Sequence, residues 1–289
     1  MRIGQIRKIA ITAVLAATSA LAPAVGWAVT GTYYDRAFVL AAHEKCRLFA
    51  APVAGALSAA TLQAHGAALR AGATEADLTA TARRARVRAA EVSCRNPELI
   101  IVRDRVTDAF QGWARTPRMD FPGTRASWTA NRLRAVEPRW RLMQAGMTGA
   151  SPVTFGLVAE ETGHEALSAV VSFVGRPRPY AARIVMRDPS LASRPWLTAA
   201  GVGILPPEAQ RRTVWSAGTT SAEVSVLTEG RTQGEVWRFP DAGAADLAEL
   251  DPREPFLIQF LFRDGSVATA QFEAGDFAAA RAFVALGTI

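Results

Sequence analysis

Residues 160–165 read Glu-Glu-Thr-Gly-His-Glu, which sets the carboxylates Glu160 and Glu161 a few positions from the imidazole of His164. A carboxylate beside a histidine can pass a proton in general acid/base catalysis or hold a metal ion. The same run contains a glycine and lies between two strand-like segments, which is the composition of a polar hairpin loop. His43 and Cys46, three residues apart, suit two ligands on one helical face, but nothing nearby supplies a third or fourth zinc ligand. His65 stands in an alanine-rich stretch and is expected as a packed or surface side chain. Neither His43-Glu44 nor His164-Glu165 continues into H-E-x-x-H. The chain also has no G-x-S-x-G elbow, glycine-rich phosphate loop or S-x-x-K. The residues therefore predict no catalytic constellation, no metal site and no cofactor beyond the Glu160/Glu161/His164 loop.

Cys46 and Cys94 are the two cysteines. An even pair in an exported chain is expected to oxidise. Closing a loop of this length stabilises by about 4 kcal/mol when chain entropy is the mechanism.

Export is predicted from the start of the chain. Arg2, Arg7 and Lys8 precede an uncharged run over residues 9–22, Pro23 breaks it, and Gly26-Trp27-Ala28 places small residues at positions −3 and −1 of a cleavage site. That run is shorter than the roughly 20 residues a membrane-spanning helix needs. Residues 1–28 are thus expected to be a signal peptide, the mature chain to be periplasmic or secreted, and no transmembrane segment to remain.

Net charge is +7, and loss of Arg2, Arg7 and Lys8 with the leader brings it to +4. Nearly all the positive charge is arginine, the side chain that grips phosphate and carboxylate in bidentate fashion. An exported chain of this kind is expected to meet a protein or an anionic envelope polymer rather than nucleic acid. With 49% of its residues apolar, the chain can bury a core and is not expected to be disordered.

The elements that must position these residues change period along the chain. Thr32 with Asp35 predicts a helix over 32–49, and Pro52 opens a second that Gly72 ends. Thr74 with Asp77 opens a third, with Leu78, Ala82, Ala85 and Ala89 on one side and Arg83, Arg84, Arg86 and Arg88 on a solvated face. Asn96-Pro97 caps a fourth, in which Leu99, Val102, Val106, Phe110 and Trp113 recur at helical spacing. Residues 29–115 are therefore expected to form a four-helix bundle clipped by the disulfide.

Residues 116–127, with Pro117, Pro122 and Gly123, read as a linker. Beyond it, 128–289 alternates short Val-, Ile-, Phe- and Trp-rich segments with turn residues. Strands are predicted over 139–145, 153–160, 167–174, 181–187, 213–217, 222–228, 235–239, 256–262 and 267–272. Asp264-Gly265 gives a hairpin turn, and Gly275-Asp276 starts a closing helix. The fold class is α+β, a helical bundle followed by an antiparallel β-sandwich-like domain. Residues 189–208 form a long connection rich in proline and glycine. Val-Met-Arg-Asp-Pro-Ser at 185–190 and Leu-Phe-Arg-Asp-Gly-Ser at 261–266, which share Asp-x-Ser, echo one another as strand ends running into turns. Trp113, Trp128 and Trp140 flank the linker and serve either as packing between the two parts or as a stacking platform for a sugar or peptide.

The last forty residues, an apolar strand, a tight turn, a second strand and then Gly-Asp-Phe before a short helix, resemble in architecture the small secreted sandwich proteins of the invasion-associated locus B type. Those proteins carry cysteines in the matching domain and this chain has none there, so no residue role follows from the resemblance. The residues thus favour a non-catalytic binding or accessory protein of the cell envelope, with an exported hydrolase working through Glu160, Glu161 and His164 as the alternative.

Overall fold

The computed structural model describes residues 22–134, 139–160, 163–197 and 203–289, with side chains from Val29 onward. Most of the expected leader lies outside the described residues.

Four helices come first: α1 Ala22–Cys46, α2 Ala51–Arg70, α3 Glu75–Glu91 and α4 Pro97–Ala114. The expected capping residues act at α3 and α4. Thr74 Oγ1 accepts from the Asp77 amide at 3.1 Å while the Asp77 carboxylate accepts from the Thr74 amide at 3.2 Å. Asn96 Oδ1 accepts from the Glu98 amide at 2.9 Å. Gly72, at φ +98°, adopts the left-handed conformation just after α2. The first helix departs from expectation. It runs in from Ala22, so the Thr32–Asp35 pair lies inside the helix and does not mark its start.

Lys45 at the end of α1 donates to the Ala90 and Val92 carbonyls at 2.6 and 2.8 Å, placing a cation on the orphan carbonyls of α3. Cys46 and Cys94 form a disulfide with their Cα atoms 5.5 Å apart, tying that corner to the approach of α4.

Helix α2 is buried along much of its length because it has partners on two sides. One side meets α1, and the other meets α6, Phe277–Val284, at the far end of the chain. Small residues permit the second contact. A β-carbon on Gly55 would stand 2.7 Å from a methyl of Leu286, and one on Gly66 would collide with the Asp276 carboxylate. Arg70 then grips Asp276 with two hydrogen bonds of 2.5 and 2.8 Å.

The rest is two antiparallel sheets packed face to face. The larger contains β1 Arg118–Pro122, β2 Ser127–Asn131, β3 Trp140–Thr148, β4 Ser151–Ala159, β5 Glu165–Val171, β8 Gly218–Ser221 and β9 Glu235–Arg238, in the order β1-β2-β3-β4-β5-β9-β8. The smaller is β11-β10-β6-β7, built from β6 Ala181–Arg187, β7 Arg211–Trp215, β10 Pro255–Leu261 and β11 Val267–Glu273. Phe155 of the large sheet meets Phe256 and Phe272 of the small one at ring separations of 5.4 and 5.6 Å. Gln144, itself buried, donates to the Glu273 carbonyl and accepts from the Glu273 amide, lacing β3 to β11. Helix α6 closes one end with Phe277 against Trp128 and Phe283 against Phe121 and Trp113.

Three segments differ from expectation. Residues 116–127 contain β1 and its turn rather than a plain linker. Phe121 is fully buried, and Glu273 Oε2 accepts from the Arg125 and Ala126 amides, so the proline and glycine there shape a hairpin. Residues 222–228 form a single 3-10 turn at Val224–Val226, and the strand lies earlier, in β8. A short helix α5, Ala242–Ala248, tucks Ala244 and Leu247 into the core. The two Asp-x-Ser echoes are the same local device: Asp188 and Asp264 each accept from the amide two residues on at 2.9 Å.

The 189–208 connection is pinned near its start. Arg187 and Glu254 form a bidentate pair of 2.6 and 2.8 Å, and their side chains are 5% and 1% exposed. Glu254 also accepts from the Trp196 and Asp251 amides at 2.7 and 2.9 Å. Arg187 donates to the Ala192 carbonyl at 2.5 Å.

Removing either cysteine should cost about 2–5 kcal/mol of unfolding free energy. Chemical denaturation of Cys46→Ala should show it, and reductant should reproduce it in the parent. Glu254→Gln should cost about 3–5 kcal/mol, since Arg187 would be left charged and buried. A loss well below that range in the same measurement would mean that water reaches the pair.

Candidate functional site

Strands β4, β5, β9 and β8 lie side by side, and their outer face carries a cleft of about 280 Å³. Strand alternation makes its floor. In β9, Val236 faces outward to join Trp140, Val170 and Val226, while Trp237 turns inward to the main core. The Trp140 indole donates to the Val226 carbonyl at 3.1 Å and so holds the 222–227 segment over the sheet as one wall.

Charged side chains rim this floor in opposed pairs. Arg238 Nε donates to Glu160 Oε1 at 3.1 Å, and its Nη1 reaches the Thr220 hydroxyl at 3.4 Å. Arg139 lies 3.6 Å from the Glu223 carboxylate. Ser168, Thr220 and Ser221 add hydroxyls to the lining.

The sequence-predicted cluster stands at the rim. A tight turn positions it: the Glu160 amide donates to the His164 carbonyl at 2.8 Å, and Gly163 takes the left-handed conformation at φ +82°. Glu160 faces the cleft, and Glu161 lies outside the described residues. His164 is about half exposed, with Nε2 3.3 Å from Asp241 and Nδ1 4.0 Å from Glu160. The structure thus brings Glu160 and His164 together and adds Arg238 and Asp241, which the sequence did not single out. Arg238 ends β9 and Asp241 precedes α5, both more than seventy residues downstream, and the pairing of β5 with β9 brings them close.

Glu165 has a different role. It begins β5, and burial raises its carboxyl above the ordinary value of 4.5, opposed by the nearby charges of Arg141, His164 and Arg281.

The other candidate residues are structural. His43 Nδ1 accepts from the Phe49 amide at 3.1 Å, and Cys46 is in the disulfide. His65 bridges α2 to Glu75 at the start of α3 at 3.1 Å, its ring edge-on to Tyr33. Trp128 and Trp140 are buried, and Trp113 packs on Phe283, so all three serve as packing. Among the described residues no group of three His, Cys, Asp or Glu side chains is placed to hold a metal ion. No described helix is long and apolar enough to cross a membrane.

The Glu165 shift has a definite sign. Its folded value lies above the unfolded one, so the stability it contributes is complete below about pH 4 and is lost as pH rises through the folded value. Glu165→Gln removes that loss. Unfolding free energies measured across pH should show the variant gaining on the parent as pH rises from 4 to 7, and a flat difference would contradict the burial of this carboxyl.

Compared with known proteins, the chain matches no family model, no curated protein and no solved structure.

Proposed function

We propose that this is an exported envelope protein that binds a partner or ligand without catalysis, and that the outer-face cleft is its recognition surface. One observation carries this reading: the charges that converge on the cleft are arranged in opposed pairs, Glu160 with Arg238 and Arg139 with Glu223, over a floor of valines edged by hydroxyls. Such a surface offers fixed hydrogen-bonding groups and apolar area, which is recognition chemistry.

Export is supported by the basic start and apolar run of the first 28 residues, and by the Cys46–Cys94 disulfide, which suits an oxidising compartment. Cleavage after Ala28 would leave Val29 first, and Val29 packs against the cluster of Tyr33, Ala64 and Leu69, so that contact survives the cut. A protein or an anionic envelope polymer is the partner class that the arginine-rich composition supports.

The second reading, an exported hydrolase, is favoured by a single feature, the placement of His164 between Asp241 and Glu160. Ester, peptide, glycoside and phosphoester reporters separate the two. The binding reading expects no turnover that depends on His164. Turnover that falls by about 10²-fold or more in His164→Ala would assign the rim to general acid/base catalysis instead. Intact mass of protein from its native host should correspond to a chain starting at Val29, and a mature chain starting at Met1 would overturn the export proposal.

A further inference from the structure

Two ion pairs at the junction of the helices and the sandwich are sorted by sign. Arg70, in the last turn of α2, forks onto Asp276 at 2.5 and 2.8 Å, and Arg253 forks onto Asp251 through Nε and Nη2 at 2.8 and 2.7 Å. The carboxylates are the buried members: the Asp276 and Asp251 side chains are 1% and 4% exposed, against 16% and 25% for Arg70 and Arg253. Both guanidinium groups line a cleft of about 410 Å³ that neither aspartate lines. The aspartates instead line a neighbouring cleft of about 340 Å³, with Glu75 and Glu249 among its other walls. Each pair is thus a partition, with its cation in the wall of one cleft and its anion in the wall of the other.

A third arginine reaches the first cleft from another element. Arg125, in the β1–β2 turn, lines it with an exposed side chain. The backbone there is fixed, because the Arg125 and Ala126 amides donate to Glu273 Oε2 at 2.7 and 3.1 Å. Thr124 and Gln271 add a hydroxyl and an amide to the walls, and Leu197 and Pro255 add apolar surface. Among the described residues Glu273 is the one carboxylate in this lining, and the two amides bonded to it offset its charge.

The donor inventory selects the occupant. A guanidinium carries five N–H donors and no acceptor, so a two-bond fork to an aspartate leaves donors unspent on both Arg70 and Arg253. A cation would meet three like charges in this cleft. A hydroxyl can accept from a guanidinium, but a charged oxygen makes a bond about twice as strong. The aspartates behind also hold Arg70 and Arg253 in position before any ligand arrives, which lowers the ordering cost of binding. Structural pairing explains those two arginines and leaves the approach of Arg125 to the same cleft without a structural reason.

We propose that this cleft binds an oxyanion, the carboxylate or phosphate group of a compact ligand, with Arg70 and Arg253 as fixed donors and Arg125 completing the grip from the β1–β2 turn. Thr124 and Gln271 then meet the ligand's remaining polar atoms, and Leu197 and Pro255 pack on its carbon skeleton. The cleft shares no residue with the one on the outer face of the large sheet, so either can fail without the other.

The test is nitrogen-15 NMR of the whole mature protein at low salt, read at the backbone amides of Thr124, Arg125 and Gln271. Inorganic phosphate, glucuronate and glucose are titrated separately to millimolar concentration. Phosphate, glucuronate or both should shift these amides saturably, and glucose should not. A response to phosphate alone supports a phosphate group as the natural anchor, and one to glucuronate alone supports a carboxylate. Arg125→Gln should weaken the binding about tenfold, the loss of one charge-assisted hydrogen bond, and its exposed position keeps the fold intact. Arg253→Lys, which keeps the charge and loses the fork, should weaken it as well. Arg83→Gln removes the same charge from the solvated face of α3 and should bind as the parent does. No saturable shift with either anion would overturn the proposal, as would an equal response to glucose. Affinity unchanged in both Arg125→Gln and Arg253→Lys would place the anion elsewhere, and an equal loss in Arg83→Gln would reduce it to attraction by net charge; either result overturns the site.

Discussion

At Gly66 the α2 backbone comes so close to Asp276 that no larger residue fits without displacing the carboxylate, and four residues on Arg70 closes a bidentate grip on the same group. The helical part and the sandwich meet at this contact. Asp276 begins α6, the helix that carries Phe277 and Phe283 into the aromatic cluster with Trp113, Phe121 and Trp128. Burial raises the Asp276 carboxyl, and Arg70 opposes that by stabilising its charge. A buried charge has to be paired, so the position of α2 over α6 is set by electrostatics as well as by packing. The alanine-rich character of α2 follows from the same geometry. A helix gripped from two sides gains more from close approach than from bulk.

Buried carboxylates do similar work elsewhere. Glu254 gathers Arg187 and the amides of Asp251 and Trp196, which fixes both the entry to β10 and the start of the long connection. Glu273 collects the Arg125 and Ala126 amides and so holds the β1–β2 turn against the end of β11. In each case one side chain answers for backbone groups that a loop would otherwise leave unsatisfied. The sandwich is thereby joined to its loops by hydrogen bonds, and the aromatic interior supplies the burial.

The β8–β9 ladder is the most informative part of the molecule for function. Its two faces are chemically different because strand alternation sends Val236 one way and Glu235 and Trp237 the other. The outer face has its charges matched in pairs around a cleft walled by the 222–227 segment. The inner face sets the Trp237 indole beside the Glu235 carboxylate, which Arg178 holds at 2.6 Å.

Local chemistry was enough to read much of the helical half. The Thr74–Asp77 box, the Asn96 cap, the stop at Gly72 and the Cys46–Cys94 bond all depend on residues close in sequence or on a pairing with one possible solution. The antiparallel α+β class was also legible, because the hydrophobic period changes along the chain. What the sequence could not decide is which strands become neighbours. Strand pairing puts Arg238 and Asp241 beside Glu160 and His164, and it turned the proline- and glycine-rich 116–127 stretch into part of a sheet. Asp276 marks a helix start in the sequence, yet its carboxylate serves Arg70, 206 positions away, and makes no cap. Capping and turn signals act over a few residues, so a linear chain displays them. Ion pairs and strand order exist only after distant segments pack, and the candidate sites of this protein are made of those.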